Sequence, residues 1–261
     1  CALSQSGSVT PEKLQLSNVI AWIHERVNMP ASKYNVTQLA DMVEGVVFAD
    51  SYTCADAIRS QMGQYFFDAG EFDAGAGYRI NYVKRGGSAS VTLTDADVVD
   101  GPDDWEREDS YERPRALHVA YQNPVADYGA PNITIKRTSP DVLVVGERSV
   151  AVPNVYSDVD EITRRADIML TVVYTEIAGT YEVVLPIRWL ELAPTDRIGF
   201  SIRGRTRRLR MTDWKFSPDG TIRTKWMSDR QSAYTSNVTG LPVVPTSPPP
   251  RSSARRRRLW A

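Results

Sequence analysis

From Tyr181 to Ser228 the chain reads almost without a break as short strands. Tyr181 to Leu185, Arg197 to Ile202, Arg205 to Phe216 and Thr221 to Ser228 alternate apolar and polar residues, punctuated at Gly204 and at Pro218-Asp219-Gly220. Alternation of that kind turns every second side chain to one face, and a face so apolar must be covered. The preceding segment supplies a cover. Ser157 and Asp160 make a capping-box-like start to a helix in which Ile162, Ala166, Met169, Leu170 and Val173 share one side. The expectation is a β-rich unit with one long helix laid against it.

Upstream, helices and strands are interleaved. Val19, Ile20, Ile23 and Val27 recur at helical spacing, with Ser17 as the expected N-cap and Pro30 beyond the end. A second helix is predicted after Thr53, whose hydroxyl caps while Asp56 sits three residues on, with Ile58, Met62 and Tyr65 on one side. Val46 to Ala49 reads as a short strand between them. After Tyr65 the pattern becomes a hairpin: Tyr-Phe-Phe, a Gly- and Asp-rich turn around Gly75 and Gly77, then Tyr78 to Val83 in strict alternation. Leu117 to Tyr121, Asn132 to Arg137 and Val142 to Val145 are further strands. Between Asp95 and Arg113 lie nine carboxylates against two arginines, which predicts an exposed acidic loop. Beyond Gly240 the sequence LPVVPTSPPPRSSARRRRLWA is dense in Pro, Ser and Arg, so the folded region is expected to end near residue 239.

The composition limits the chemistry. At 261 residues and 42% hydrophobic content the chain has enough apolar side chains for a core, which excludes disorder as its overall state. Two cysteines, Cys1 and Cys54, make neither a disulfide framework nor a four-ligand zinc or iron–sulfur site. No apolar run approaches the roughly 18 residues needed to span a bilayer, and no charged-then-apolar leader opens the chain. Membrane insertion and a signal peptide are therefore not expected. A Cys in first place reads as part of a longer polypeptide, with lipid modification of Cys1 as the rival reading.

Candidate functional residues are few. His24 and His118 sit on different elements and read as surface or partly buried histidines. Asp68, Glu71 and Asp73 resemble a carboxylate pair for glycoside hydrolysis or a calcium loop, yet they fit no EF-hand spacing and suit a hairpin turn better. No nucleophile elbow, zinc helix, phosphate-binding loop or dinucleotide fingerprint occurs. No catalytic, cofactor-binding or metal-ligating residue is assigned.

Two basic features remain, Arg203, Arg205, Arg207, Arg208 and Arg210 on the expected hairpin, and Arg255 to Arg258. Arg208 and Arg210 share one strand face, with Leu209 and Met211 on the other and Arg205 and Arg207 at the turn. The last eleven residues hold five of the 31 basic side chains and none of the 32 acids, so residues 1–250 stand at 26 against 32, a formal −6. A dedicated nucleic-acid domain is seldom acidic overall. An inter-subunit surface, or the wall of a passage, suits the stripe better.

Several segments then resemble a known family. These are FADSYTCADAIRSQMGQYFFDAGEFDAGAGYRINYVKRGG, ERPRALHVAYQNPVADYGAP and YEVVLPIRWLELAPTDRIGF. The first pairs a capped helix with a strand, a carboxylate-rich turn and a strand ending in Arg-Gly-Gly. The second carries Arg-Pro-x-x-Leu-x-Val-x-Tyr and Asn-Pro-x-x-Asp-Tyr. The third carries Leu-Pro and then Leu-x-Leu-x-Pro-x-Asp, where Pro194 and Asp196 shape a turn and Leu190 and Leu192 are expected in the core. In that order they resemble the tail-hub, or tail-tip, proteins of long-tailed phages and gene transfer agents, over roughly residues 9 to 239. Thr195 stands where such hubs commonly have Gly.

The resemblance implies an α+β fold of two β-barrel-like, tail-tube-like hub modules with packed helices, at 9–113 and 114–239, followed by a disordered Pro- and Arg-rich tail at 240–261. It implies a structural protein of the virion tail tip, a baseplate hub with no enzymatic activity and no cofactor. Three copies would form a ring that closes the tail tube. Its partners would be distal tail and tube proteins, the tape measure protein and a fibre or spike, for host attachment and DNA ejection. DNA would pass through the ring without specific nucleic-acid binding. The alternatives are a tail-associated cell-wall hydrolase using Asp68, Glu71 or Asp73, and a bacterial surface lipoprotein anchored through Cys1.

Overall fold

A computed structural model describes residues 13–48, 53–73, 78–99, 114–123, 131–137, 146–176, 180–202 and 205–236. The expected strand at Val142 to Val145, the Gly75/Gly77 turn, Gly204, most of the acidic segment, Cys1 and the Pro/Arg-rich exit lie outside them. Among the described residues the fold is α+β, with three α-helices and more strand than helix.

The long helix α3, Val159–Glu176, forms where its periodicity places it, with Ile162 and Ala166 fully buried and Met169 and Leu170 nearly so. Its cap differs from expectation. Asp158 Oδ1 accepts from the Glu161 N–H at 2.7 Å, while Ser157 is buried and its hydroxyl accepts from Arg165. The first helix, α1 (Leu16–Arg26), likewise starts earlier than Ser17, after Gln15 and without a side-chain cap. The second, α2 (Cys54–Tyr65), is capped as expected: the Asp56 N–H donates to Thr53 Oγ1 at 3.1 Å and Thr53 Oγ1 donates to Asp56 Oδ2 at 2.6 Å. Thr53→Ala should therefore cost about 1 kcal/mol in urea unfolding, and Thr53→Ser should recover most of it.

These helices pack on small sheets to make the larger core. One sheet has the order β4-β10-β8-β9, from β4 (Gly45–Val46), β8 (Ala116–Gln122), β9 (Asn132–Lys136) and β10 (Glu147–Tyr156). β8 and β10 run parallel. Sequence reading misses β10, because its alternation breaks at Pro153-Asn154, where the register shifts between Val152 and Tyr156. A second sheet joins β2 (Tyr34–Asn35) to the predicted hairpin of β5 (Phe67–Asp73) and β6 (Tyr78–Lys84), in register from Phe67 opposite Lys84 to Asp73 opposite Tyr78. The short β1 (Leu14–Gln15) pairs with β3 (Met42–Val43).

The second core lies under a five-stranded sheet ordered β11-β14-β13-β12-β7, from β7 (Val91–Thr94), β11 (Thr180–Pro186), β12 (Arg197–Ile202), β13 (Arg205–Phe216) and β14 (Thr221–Ser228). Alternation does here what it predicts: Tyr181, Val183, Leu185, Ile198, Phe200, Leu209, Met211 and Trp226 join one core, and Ile222 is buried as well. Although β7 pairs with β12 on one edge, the Val99 N–H donates to Val184 O on the β11 edge at 2.9 Å. Residues 91–99 thus run from one margin of the sheet to the other and curl it into a half-barrel. Arg188 fastens this crossing at Asp97 Oδ1 (2.8 Å) and Ala96 O. Leu192 is buried as expected, but Leu190 is not, at 48% exposure.

The two cores do not divide at residue 113. β7 belongs to the five-stranded sheet, whereas β8, β9, β10 and α3 line the larger core. Chain order and spatial partition differ because β7 finds its partner about 100 residues downstream, in β12.

Candidate functional site

The seam between the β5–β6 hairpin and the five-stranded sheet gathers several of the residues singled out above. Asp68, from the candidate carboxylate cluster, lies on β5 at 9% exposure. Arg85 donates from Nε to both its oxygens at 3.1 Å and from a terminal nitrogen to Oδ1 at 2.8 Å, and Arg210 donates to Oδ2 at 2.7 Å. One carboxylate thus holds two guanidiniums from two different sheets. Both pairs are largely desolvated, so their geometry is energetically demanding. This corrects two expectations: Asp68 is a tie between sheets, and Arg210 is buried within the chain rather than displayed in a stripe.

The Arg-Gly-Gly that ends the hairpin explains itself in the same place. Arg85 supplies the tie. Gly86, at φ +75°, lies against the Tyr234 ring and donates its N–H to the Asp229 carboxylate. Arg197 reaches over Gly87 to donate to Lys84 O at 2.6 Å. The Pro194–Asp196 turn completes the seam. Asp196 Oδ2 accepts from the Ala193 N–H at 2.9 Å, and the turn sits so close to Gly70 that a Cβ there would lie 2.8 Å from Pro194 O. Thr195 takes φ +88°, the left-handed region in which Gly is at ease. Glu71 is exposed beside this turn, lining a 270 Å³ concavity with Gly70, Asn81 and Pro194–Arg197. Nothing is described of the Asp73 side chain.

The remaining arginines separate. Arg207 donates to Tyr181 Oη at 2.6 Å, and Arg208 donates to Gln231. With Arg230 they border a 680 Å³ concavity whose other walls are Gln231 and the hydroxyl-bearing Thr206, Ser228, Ser232 and Thr235. The backbone of Arg205 is on β13, but its side chain, and all of Arg203, lie outside the described residues.

The two histidines also take different surroundings. His118 is half-exposed on β8 between Thr134 Oγ1 at 2.9 Å and Glu147 Oε2 at 3.0 Å. His24 is buried more deeply than expected. It stacks on Tyr34 at 4.5 Å, with Nε2 2.7 Å from Tyr82 Oη and Nδ1 3.9 Å from Cys54 Sγ. Burial lowers the His24 pKa below 6.5 and raises those of Cys54 and Tyr82, so all three are neutral near pH 7. As pH falls the unfolded imidazole takes up its proton first. Stability present above pH 6.5 is therefore lost as pH falls through the folded-state value. His24→Gln should flatten the change in urea midpoint between about pH 7.5 and 5.5 that the parent chain shows.

These side chains floor a 560 Å³ groove between α1, α2 and the hairpin, lined chiefly by apolar residues including Val27, Met29, Ile58 and Met62. Among the described residues no group of three His, Cys, Asp or Glu could hold a metal ion, and no helix is long and apolar enough to cross a membrane.

The fold has close counterparts. A protein of the virion of a native gene transfer agent particle superimposes with a TM-score of 0.74 at 17% identity, covering 90% of this chain and 53% of that one. A tail protein from Neisseria meningitidis MC58 gives 0.57 at 11% identity, covering 87% of this chain and 70% of its own. The 43 kDa tail protein of prophage MuSo2 from Shewanella oneidensis gives 0.52 at 11% identity, over 84% and 67%. The chain thus spans about half the length of the gene transfer agent protein. Among curated proteins no sequence matches it.

An α+β scaffold of this kind, shared across tail proteins, defines the class. The family described as "Putative phage tail protein" matches residues 53–214, and the chain belongs to that family. It is a structural protein of the phage tail, and its location is the virion tail.

Proposed function

We propose that this chain is the hub of the tail tip, three copies of which form a ring that closes the tail tube and joins it to a central fibre or spike. The observation that carries the reading is the 90% coverage of this chain at a TM-score of 0.74 by a gene transfer agent virion protein. A hub must transmit load between a tube above and a fibre below. The buried Asp68 tie couples the hairpin unit to the half-barrel, as such a load path requires. Arg207, Arg208 and Arg230 line one concavity and would then contribute to subunit register, or to the wall of the passage through which the tape measure protein and DNA move. Distal tail and tube proteins are the expected neighbours. Asp68 is committed to two arginines, which removes it from the hydrolase alternative.

Cryo-electron microscopy of intact virions, reconstructed under threefold symmetry, tests this directly. Three copies traced in a ring below the tube support the hub. Density for this chain elsewhere in the tail, or in another copy number, refutes it.

A further inference from the structure

β13 begins beyond the end of β14. The last paired residue of β14, Ser228, stands opposite Leu209, and the chain then turns off through Asp229, whose N–H donates to Arg208 O at 3.0 Å. It continues into the short helical turn Gln231–Tyr234. Between that turn and the start of β13 lies the 680 Å³ concavity bordered by Arg207, Arg208 and Arg230. Three of its eight lining residues are arginines, four carry hydroxyls and the last is Gln231, so its wall is rich in donors and holds neither a carboxylate nor an aromatic ring.

The positive charge there is not answered locally. Asp229, the acid nearest in sequence, is buried and accepts from the Gly86 N–H. Arg208 donates to the neutral amide oxygen of Gln231 at 3.1 Å and Arg230 is exposed, and among the described residues neither joins an ion pair. By contrast, Arg85, Arg165, Arg188 and Arg210 each meet a carboxylate at 2.7–3.0 Å. The site thus concentrates positive charge on a chain whose first 250 residues are acidic overall.

Phosphate matches such a wall. Its oxygens are strong acceptors, and the planar guanidinium fork meets them with two parallel N–H···O bonds. Inorganic phosphate brings close to two charges, and a phosphodiester chain brings one at every link, either of which suits several guanidiniums better than a single carboxylate does. With no ring to stack a base, a nucleic acid would be held here by its backbone and not read.

We propose that the concavity between the start of β13 and the Gln231–Tyr234 turn binds a phosphate oxyanion, held by Arg208 and Arg230 with Arg207 at its border. The site is complete in one chain, so it stands independently of the ring. Because the rest of the chain is acidic, a long polyanion is held weakly and in a salt-dependent way.

The test uses the full 261-residue chain with Arg255, Arg256, Arg257 and Arg258 changed to Ser, so that these arginines do not compete for anions. Inorganic phosphate is followed by its phosphorus NMR line width, and a short fluorescein-labelled DNA duplex by anisotropy at low salt. Arg208→Gln with Arg230→Gln should weaken binding by about tenfold or more, and for the duplex should lower the slope of log affinity against log salt by about 2. Arg230→Glu, a change at an exposed residue, should weaken it similarly and leave the urea midpoint in place. Lys215→Gln with Arg223→Gln removes the same charge from an exposed pair facing each other on β13 and β14, and should leave affinity within about twofold. Two duplexes of unrelated sequence should bind alike. Binding of inorganic phosphate without the duplex supports the site with a free phosphate as its ligand. Duplex binding that is lost with Arg208 and Arg230 supports it with a phosphodiester backbone as its ligand. No binding of either probe, or losses no larger than the control's, overturns it. Trimers by mass photometry that require Arg208 and Arg230, in a chain that binds neither probe, overturn the phosphate site and leave the ring standing, with these arginines in subunit register.

Discussion

Asp68→Asn should lower the unfolding free energy by about 3–5 kcal/mol, because it leaves the Arg210 guanidinium desolvated without the charge that compensates it. Arg210 has a side-chain exposure of 7% and Asp68 of 12%, so water cannot readily replace the lost partner. A urea titration followed by tryptophan fluorescence measures the loss. Replacing Asp68 and Arg210 together by Leu and Met should cost less than the two single changes combined, since it strands only Arg85, at 16% side-chain exposure, and no longer leaves Arg210 buried and unpaired. A double-mutant cycle therefore decides whether the tie contributes strength or only specifies how the sheets meet. A loss near that of an exposed ion pair, under about 1 kcal/mol, would show that the seam is wet in solution.

Trp226→Ala should cost about as much, ~3–5 kcal/mol, for a different reason. Trp226 is fully buried at the centre of the half-barrel, opposite Tyr181 on β11 and Met211 on β13. Its indole N–H donates to Thr224 Oγ1 at 2.7 Å, and that hydroxyl donates to Val183 O at 2.8 Å. The truncation opens a cavity and also leaves Thr224 short of a donor in a buried place. Trp226→Phe keeps most of the volume but not the N–H, so the gap between the two variants reports the hydrogen bond. Thermal unfolding under conditions that hold the protein monomeric separates this effect from assembly.

Local order was legible in the sequence wherever it depends on period or on a single cap. The bounds of β12 and β14, the Thr53 cap and the β5–β6 hairpin all follow from residues within a few positions of one another. β10 was missed because one Pro-Asn pair breaks its alternation, although its pairing with β8 holds the sheet together. Leu190 shows the opposite failure. Its apolar character suggested the core, but the turn after Trp189 directs it outward.

The candidate site was legible only as residue types. Asp68 and the five arginines were recognised as unusual, but not that Asp68 and Arg210, 142 positions apart, belong together. Likewise Trp214 and Phe216 were seen as aromatics downstream of the arginines, but not that β13 runs on past its pairing with β12 and leaves both exposed. By itself the sequence determined the periodic elements, the Thr53 cap of α2, the acidic balance of its first 250 residues and a resemblance to tail hubs. Only the tertiary structure decided which strands share a sheet, that β7 crosses to the half-barrel, and which charges are buried in pairs. The division has a physical cause. Helix and strand periods arise from backbone geometry within a few residues, whereas strand pairing and buried ion pairs depend on chain closure over a hundred residues or more, which leaves no local signature.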